Sequence, residues 1–407
     1  MTAPGDGALA GVKVLDLMWA IAGPGATRML ADYGATVVRV ESTRRVDAIR
    51  TVGPHVEIPP GAEASALFHN LNAGKLMVTL DLAKPEARAV ALDLVRWADV
   101  VTESFTPRAM RGWGLDYESL RAVKPDVIML STCLMGQTGP HAAFAGFGNL
   151  AAALTGFFQL CGWPDRPPAG PFGAYTDYIA PRFNAVAILA ALDHRRRTGA
   201  GQHIDLSQAE AALHFLAPAL LEHAANGRVP KAAGNRDPNH APHGVYAARG
   251  DDRWVAIVAT SDVEFAALAD AMGQAALARD PRFATAAARL AHRDELDVLV
   301  EDWTRARDAA GIEGALQARG VPASVVATSR DLVDDPQLAH RGHFVRVTHP
   351  QYGTSTVEAA RFHLTRTPPR APEAAPTYGA DNQYVLETIL GYDAERIAEL
   401  VVAGALE

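Results

Sequence analysis

Only two cysteines, Cys133 and Cys161, occur in the 407 residues. A disulfide-stapled scaffold is thereby excluded, and a reducing cytoplasmic setting is expected. No apolar run approaches the roughly 18 uninterrupted residues of a membrane span, so no membrane partner is expected. The first residues, Met-Thr-Ala-Pro-Gly-Asp-Gly, show neither a basic nor an apolar leader pattern. Excess positive charge is missing too. The net charge is −8, with no lysine-rich tail or basic repeat, which argues against a nucleic-acid partner. A local basic pocket for an anionic cofactor is compatible with that total. There is no P-loop, no Gly-x-Ser-x-Gly elbow and no His-Glu-x-x-His. His240 with His243, and His340 with His343, have ligand-like spacing but no third ligand nearby, so no metal is expected. Cys133 follows a buried-strand pattern and Cys161 lies in an apolar run, which suits packed thiols better than nucleophiles. No internal repeat is visible.

What is present is an ordinary globular balance, 49% hydrophobic and 21% charged, in a length that suits two or three domains. Residues 11–17 read as a buried strand, 22–34 as a glycine turn feeding a helix, and 35–41 as a second strand. That is a βαβ unit and implies a parallel sheet. Strand patterns recur at 77–82, 99–104, 126–133 and 202–206, with a helix from Pro85 to Trp97, so a doubly wound α/β domain is predicted. Ligands of such sheets bind beyond the carboxyl ends of the strands, here near residues 18–25, 41–45, 103–108 and 132–139. The Gly23-Pro24-Gly25 turn lacks the full dinucleotide fingerprint. Further on, Ser207-Gln-Ala-Glu210 has capping-box spacing. Residues 226–243 read as a linker, 254–325 as a smaller α/β segment, and the proline-rich stretch 368–376 as surface.

The chain is organised around residues 170–192, a Gly/Pro-rich loop running into an apolar helix. Ile179, Phe183, Val186, Leu189 and Leu192 recur at steps of three and four, predicting one buried face. Pro181 is expected in the first turn, and Arg195, Arg196 and Arg197 before Gly199 mark the end. Asp177 then sits at the helix N-terminus, where the macrodipole favours its ionised form and where an N-cap aspartate also sits. The local pattern leaves both roles open.

Several stretches together resemble the class III CoA-transferases, the family of formyl-CoA transferase and carnitine CoA-transferase. They are Leu9-Ala-Gly-Val-Lys-Val-Leu-Asp-Leu, Ala22-Gly-Pro, the run from Leu30 to Glu41, Asn72-Ala-Gly-Lys and Glu103-Ser-Phe-Thr-Pro. Gly136-Gln-Thr-Gly-Pro, Arg197-Thr-Gly-Ala-Gly-Gln-His-Ile-Asp and Pro242-His-Gly-Val-Tyr continue the match in the same order. The resemblance implies a large Rossmann-like domain with a parallel sheet, built from residues 1–225 and 326–407. It also implies a linker and small α/β domain at 226–325, and two subunits threaded as interlocked rings. The nucleophilic aspartate of the family matches Asp177. The implied reaction moves CoA from an acyl-CoA donor, with succinyl-CoA as one candidate, to a carboxylic acid through a mixed anhydride and an aspartyl-CoA thioester. CoA contacts carried over by the resemblance are Ala20, Ile21, Ala22, Leu71, Lys75, Ser104, Phe105 and Arg108. Lys75 and Arg108 would meet phosphates, and Leu71 and Phe105 the adenine. The bare residues read equally as a surface lysine, a solvated arginine and two core side chains. Ile21 stands where formyl-CoA transferase has a glutamine, and that enzyme's polyglycine loop is missing, so a different acyl substrate is implied. Arg182 and the loop Trp163-Pro-Asp-Arg166 are candidates for binding a second carboxylate. The related α-methylacyl-CoA racemases use a Gly-His-Asp-like motif that aligns with Gly146-Phe147-Gly148-Asn149, where Phe147 exchanges no proton. A CoA-binding subunit of a heteromeric transferase is the remaining alternative to a homodimer.

Overall fold

The computed structural model describes residues 7–56 and 61–407. The chain divides into two compact units. One comprises Met1–Phe158, Gly170–Val229 and Pro336–Glu407, the other Gln159–Ala169 and Pro230–Asp335.

The first unit is built on six parallel strands, β1 (Lys13–Asp16), β2 (Thr36–Glu41), β3 (Leu76–Thr79), β4 (Val100–Glu103), β5 (Ile128–Cys133) and β6 (His203–Ser207). Their spatial order is β3-β2-β1-β4-β5-β6, the doubly wound order whose direction of winding reverses between β1 and β4. The inner strands β1, β2, β4 and β5 are short, mostly apolar and buried runs because both faces are covered. Val14, Val37, Val100, Ile128 and Leu130 point to one layer, and Leu15, Val38, Val78, Val101 and Met129 to the other. Helices α1 (Ala22–Asp32), α2 (Ala66–Asn72), α3 (Pro85–Trp97), α4 (Pro107–Trp113) and α5 (Tyr117–Val123) supply the connections. Burying each such Val or Leu is worth about 1.5–3 kcal/mol, so both layers stabilise the sheet between them.

β3 is an edge strand, and the chain end manages that edge. Asp381 and Asn382 accept hydrogen bonds from the Met77 and Thr79 N–H groups at 2.8 and 2.9 Å. The proline-rich stretch is therefore not all surface. Ala375 and Pro376 are buried, Ala375 packs with Ile49, Phe68 and Met77, and Tyr352 Oη donates to the Ala375 carbonyl at 2.9 Å.

After the short helices α6 (Gly148–Leu154) and α7 (Phe157–Leu160) comes the central helix α8 (Tyr175–Thr198). It ends as predicted, on Gly199 in the left-handed conformation at φ 76°, with the three arginines in its last turn. Its start and its buried face differ from the sequence expectation. The helix begins two residues before Asp177, so Asp177 is not the cap and Pro181 falls in the second turn. Proline there has no N–H to give the Asp177 carbonyl four residues back. The buried strip is Ala180, Pro181, Asn184, Ala185, Ile188 and Ala191, where small side chains admit α1. A Cβ on Gly25 would stand 3.2 Å from Pro181 Cγ, which is how closely the two helices approach. Val186 and Leu189 on the predicted apolar face are instead 66% and 43% exposed. Helices α9 (Gln208–Leu213), capped by Ser207, and α10 (Ala217–Asn226) follow, the latter with Leu220 and Leu221 exposed.

The second unit holds three antiparallel strands, β7 (His243–Ala247), β8 (Trp254–Val258) and β9 (Ala323–Val325). Helices α11 (Asp262–Ala271), α12 (Ala286–Ala291), α13 (Arg293–Arg305) and α14 (Ala309–Gln317) complete a core of Val255, Ile257, Phe265, Leu268, Leu296, Val300, Ile312 and Leu316. The hairpin β10 (Phe344–His349) and β11 (Gly353–Glu358) belongs to the first unit. Among the described residues no helix is long and apolar enough to cross a membrane.

Candidate active site

The reversal of winding between β1 and β4 opens a crevice at the carboxyl edge of the sheet. A cavity of about 200 Å³ lies there, walled by Trp19, Ala20 and Ala22 after β1, Ser104, Phe105 and Thr106 after β4, and Thr132, Cys133 and Leu134 around the end of β5. Residues 142–147 close one side, and Asp177 and Gln208 form its far end. All of this wall comes from the first unit.

The loop after β1 is held from both sides. The Trp19 N–H donates to Ser104 Oγ at 2.9 Å, and the Ala20 N–H donates to Asp47 at 3.0 Å. Ala20 has φ 61°, a left-handed conformation that costs a residue with a Cβ about 1 kcal/mol. Asp47 keeps it there, and Asp47 is itself fixed by a 2.6 Å bond from the buried guanidinium of Arg39.

Asp177 is buried, only 4% exposed. Gln208 Nε2 donates to its Oδ1, and the Gly148 N–H, in the first turn of α6, is a second donor. The same Gln208 nitrogen donates to Thr176 Oγ1 at 2.9 Å, and the Thr176 hydroxyl donates to the Gly148 carbonyl at 2.9 Å. Burial raises the Asp177 pKa, and the bonds from Gln208 and Gly148 pull it back. Gly148 must be glycine at this approach: a Cβ would lie 2.7 Å from both Cγ and Oδ1 of Asp177. A buried carboxylate held by two N–H donors is equipped to act as a nucleophile or a base. Burial pushes the Cys133 thiol up to about 11, so it is a neutral wall of the cavity. Glu103 lies buried behind the Ser104–Phe105 loop, accepting from the Phe105 N–H at 2.7 Å; burial pushes it up to about 7.

A second cavity of about 580 Å³ adjoins the first across Trp19 and Phe105, which line both and meet edge to face at 5.4 Å. Its walls are Leu80, Asp81, Leu82 and Ala83 after β3, Arg44 and Arg45 after β2, and Trp113.

Of the residues expected from the sequence, Ala20, Ala22, Ser104, Phe105 and Asp177 meet in the crevice. Four do not. Ile21 turns into the cluster of Ile49, Phe68 and Met77, and Leu71 is a buried member of the same cluster. Lys75 is buried, with its ammonium on Asp16 at 3.0 Å, Thr27 at 2.8 Å, Asn72 at 3.0 Å and the Pro24 carbonyl at 3.1 Å. It neutralises the buried Asp16 at the carboxyl end of β1, and burial lowers its own pKa to about 8 against the pull of that carboxylate. Arg108 is exposed on α4, outside the walls of both cavities. The reading of the sequence passed over Gln208, Gly148, Thr176 and the Leu80–Ala83 wall. Gln208 and Leu80 both follow the carboxyl end of a strand, so the sheet-edge rule was the signal that could have found them.

The model of CoA-transferase family III matches residues 9–382. The chain is 35% identical to the succinyl-CoA–D-citramalate CoA-transferase of Chloroflexus aurantiacus over 96% of each chain. It is also 35% identical to the succinate–glutarate CoA-transferase of Agrobacterium fabrum, over 93% of this chain and 94% of that one. A crystal structure of a CAIB/BAIF family protein from Brucella suis superposes with a TM-score of 0.87 at 33% identity, covering 94% of this chain and all of that one. With this fold, this crevice and matches along nearly the whole length, the chain belongs to CoA-transferase family III and is a CoA-transferase.

Proposed function

We propose that the protein transfers CoA from succinyl-CoA to a carboxylic acid, with Asp177 as the covalent nucleophile. The carrying observation is the buried Asp177 carboxylate at the end of the switch-point crevice, oriented by Gln208 and Gly148. Asp177 attacks the thioester carbonyl, the C–S bond breaks, and a mixed anhydride and CoA thiolate result. The thiolate then attacks the aspartyl carbonyl and expels the donor acid as a carboxylate. The acceptor carboxylate runs the two steps in reverse. No net proton moves, which fits a site whose thiol neighbour, Cys133, stays protonated. Exclusion of water protects the anhydride, and the small, largely apolar cavity serves that end.

The reactive thioester end of CoA occupies the smaller cavity, against Ala20, Ala22 and Ser104. Its nucleotide half occupies the larger one, with adenine among Leu80, Leu82 and Phe105 and phosphates toward Arg44 and Arg45. Racemisation fits less well, because Phe147 lines the cavity where a second proton-transfer group is needed. The exposed Val186 and Leu189 of α8 and Leu220 and Leu221 of α10 support a homodimer in which a second copy covers them, in the interlocked arrangement the family resemblance implies. Two free cysteines suit a cytoplasmic location.

Intact-mass measurement after incubation with succinyl-CoA tests the chemistry. The expected result is a CoA-sized adduct, removed by hydroxylamine and missing in Asp177→Ala. Failure of wild type to form an adduct, with loss of α-deuterium from a 2-methylacyl-CoA, would replace transfer by racemisation.

A further inference from the structure

The polar groups around Asp177 form a closed ring. The Gly148 N–H faces the Asp177 carboxylate, whose Oδ1 accepts from Gln208 Nε2. That nitrogen's other hydrogen goes to Thr176 Oγ1 at 2.9 Å, and the Thr176 hydroxyl returns to the Gly148 carbonyl at 2.9 Å. The ring fixes which end of the Gln208 amide points inward. Thr176 spends its single hydroxyl hydrogen on a carbonyl, so it offers Gln208 only a lone pair, and an ionised carboxylate offers only lone pairs as well. Both neighbours therefore demand the NH₂. Gln208 is buried, stands first in α9 after the Ser207 cap, and lines the crevice together with Asp177.

We propose that Gln208 is a second catalytic residue, which makes Oδ1 of Asp177 the permanent carbonyl oxygen and donates to the oxyanion that forms there during attack on the aspartyl carbon. The proposal rests on Asp177 being the nucleophile. Oδ2 forms the new C–O bond to the acyl group, and the thioester C–S bond breaks to give CoA thiolate. The thiolate then adds to Cγ, and the Cγ=Oδ1 electron pair moves onto Oδ1, where the Gln208 N–H is already in place. Collapse restores Cγ=Oδ1 and breaks Cγ–Oδ2, so the departing acid carries Oδ2 away. The acceptor acid later leaves one of its own oxygens in the Oδ2 position. One aspartate oxygen is thus replaced in every turnover and the other is never replaced. A carboxylate free to rotate between turnovers would exchange both.

The experiment is equilibration of the full-length enzyme with succinyl-CoA and ¹⁸O-labelled succinate, followed by proteolysis and mass measurement of the peptide that contains Asp177. The expected result is one ¹⁸O in wild type and two in Gln208→Ala. The kcat of transfer should fall about 10²–10³-fold in Gln208→Ala and in the size-matched Gln208→Glu, with little change in KM for succinyl-CoA. Two ¹⁸O atoms in wild type, or wild-type kcat in both variants, would overturn the role of Gln208 while leaving Asp177 as nucleophile. No ¹⁸O in wild-type Asp177 would overturn the nucleophile reading and this inference with it.

Discussion

Gly148→Ala isolates the geometry of Asp177 from every other property of the site. Gly148 does not use a left-handed backbone conformation, so alanine brings no φ strain there. The entire effect comes from one new methyl group. Its carbon would lie 2.7 Å from Cγ and Oδ1 of Asp177 and 3.0 Å from the Asp177 nitrogen, against 3.4–4 Å for ordinary contact. The carboxylate or the α6 start must therefore yield by well over half an ångström, about the size of misplacement that costs a reaction about 10²-fold. The same shift stretches the Gly148 N–H contact and the bond from Gln208, and overpacking of this kind costs about 1–3 kcal/mol of stability. The expected outcome is a folded protein with a slightly lower Tm, a KM for acyl-CoA close to wild type and a kcat reduced about a hundredfold. The assay is steady-state CoA transfer beside thermal unfolding. Wild-type kcat in Gly148→Ala would refute the claim that this contact sets the nucleophile's position.

Glu103 supplies a pH prediction. Its pKa is pushed from 4.5 up to about 7 by burial, so between those values the folded chain holds a proton that the unfolded chain has lost. Stability should fall as pH rises through that window, by at most about 3 kcal/mol. Glu103→Gln keeps an acceptor for the Phe105 N–H and should flatten the slope; equal differences between pH 5 and pH 8 in urea unfolding of the two proteins would refute it. Arg45→Ala should raise KM for acyl-CoA about 10–100-fold with little change in kcat, as loss of one charge-assisted phosphate bond does; an unchanged KM moves the nucleotide out of the larger cavity. Val186→Asp should convert a dimer to monomers in sedimentation, because a partner would have to bury the new charge; an unchanged mass assigns the exposed α8 face to something else.

The layered sheet was legible because its signal is local and repeated. Val14-Leu15, Val37-Val38 and Val100-Val101 each send one side chain to either layer, and a run of apolar residues between turn signals records that directly. The crevice was legible for the same reason, since a strand's carboxyl end can be read wherever the strand can. What the sequence concealed depends on partners far along the chain. Lys75 looks like any lysine before a strand until Asp16 is found beneath it, 59 positions away. Leu71 and Ile21 look like pocket residues until the cluster shared with Ala375 claims them, because the proline-rich tail that reads as surface has to cross the open edge of β3.

The central helix carries the same lesson to the active site. Its apolar spacing predicts one buried face, yet the chain itself buries the strip of Ala180, Ala185, Ile188 and Ala191 and leaves Val186 and Leu189 to solvent. Both strips are apolar but for Asn184 in the buried one, so periodicity alone cannot choose between them; the choice falls to α1, whose Gly25 admits Pro181 and so fixes the rotation of the helix. That rotation sends Ile179 into the packing with Ala152, Phe157 and Ala212, and turns Asp177, two residues earlier, toward Gly148 and Gln208. The small residues of that strip are what aim Asp177 into the crevice. A bulkier residue at Gly25 would turn the helix and misdirect Asp177 without touching it.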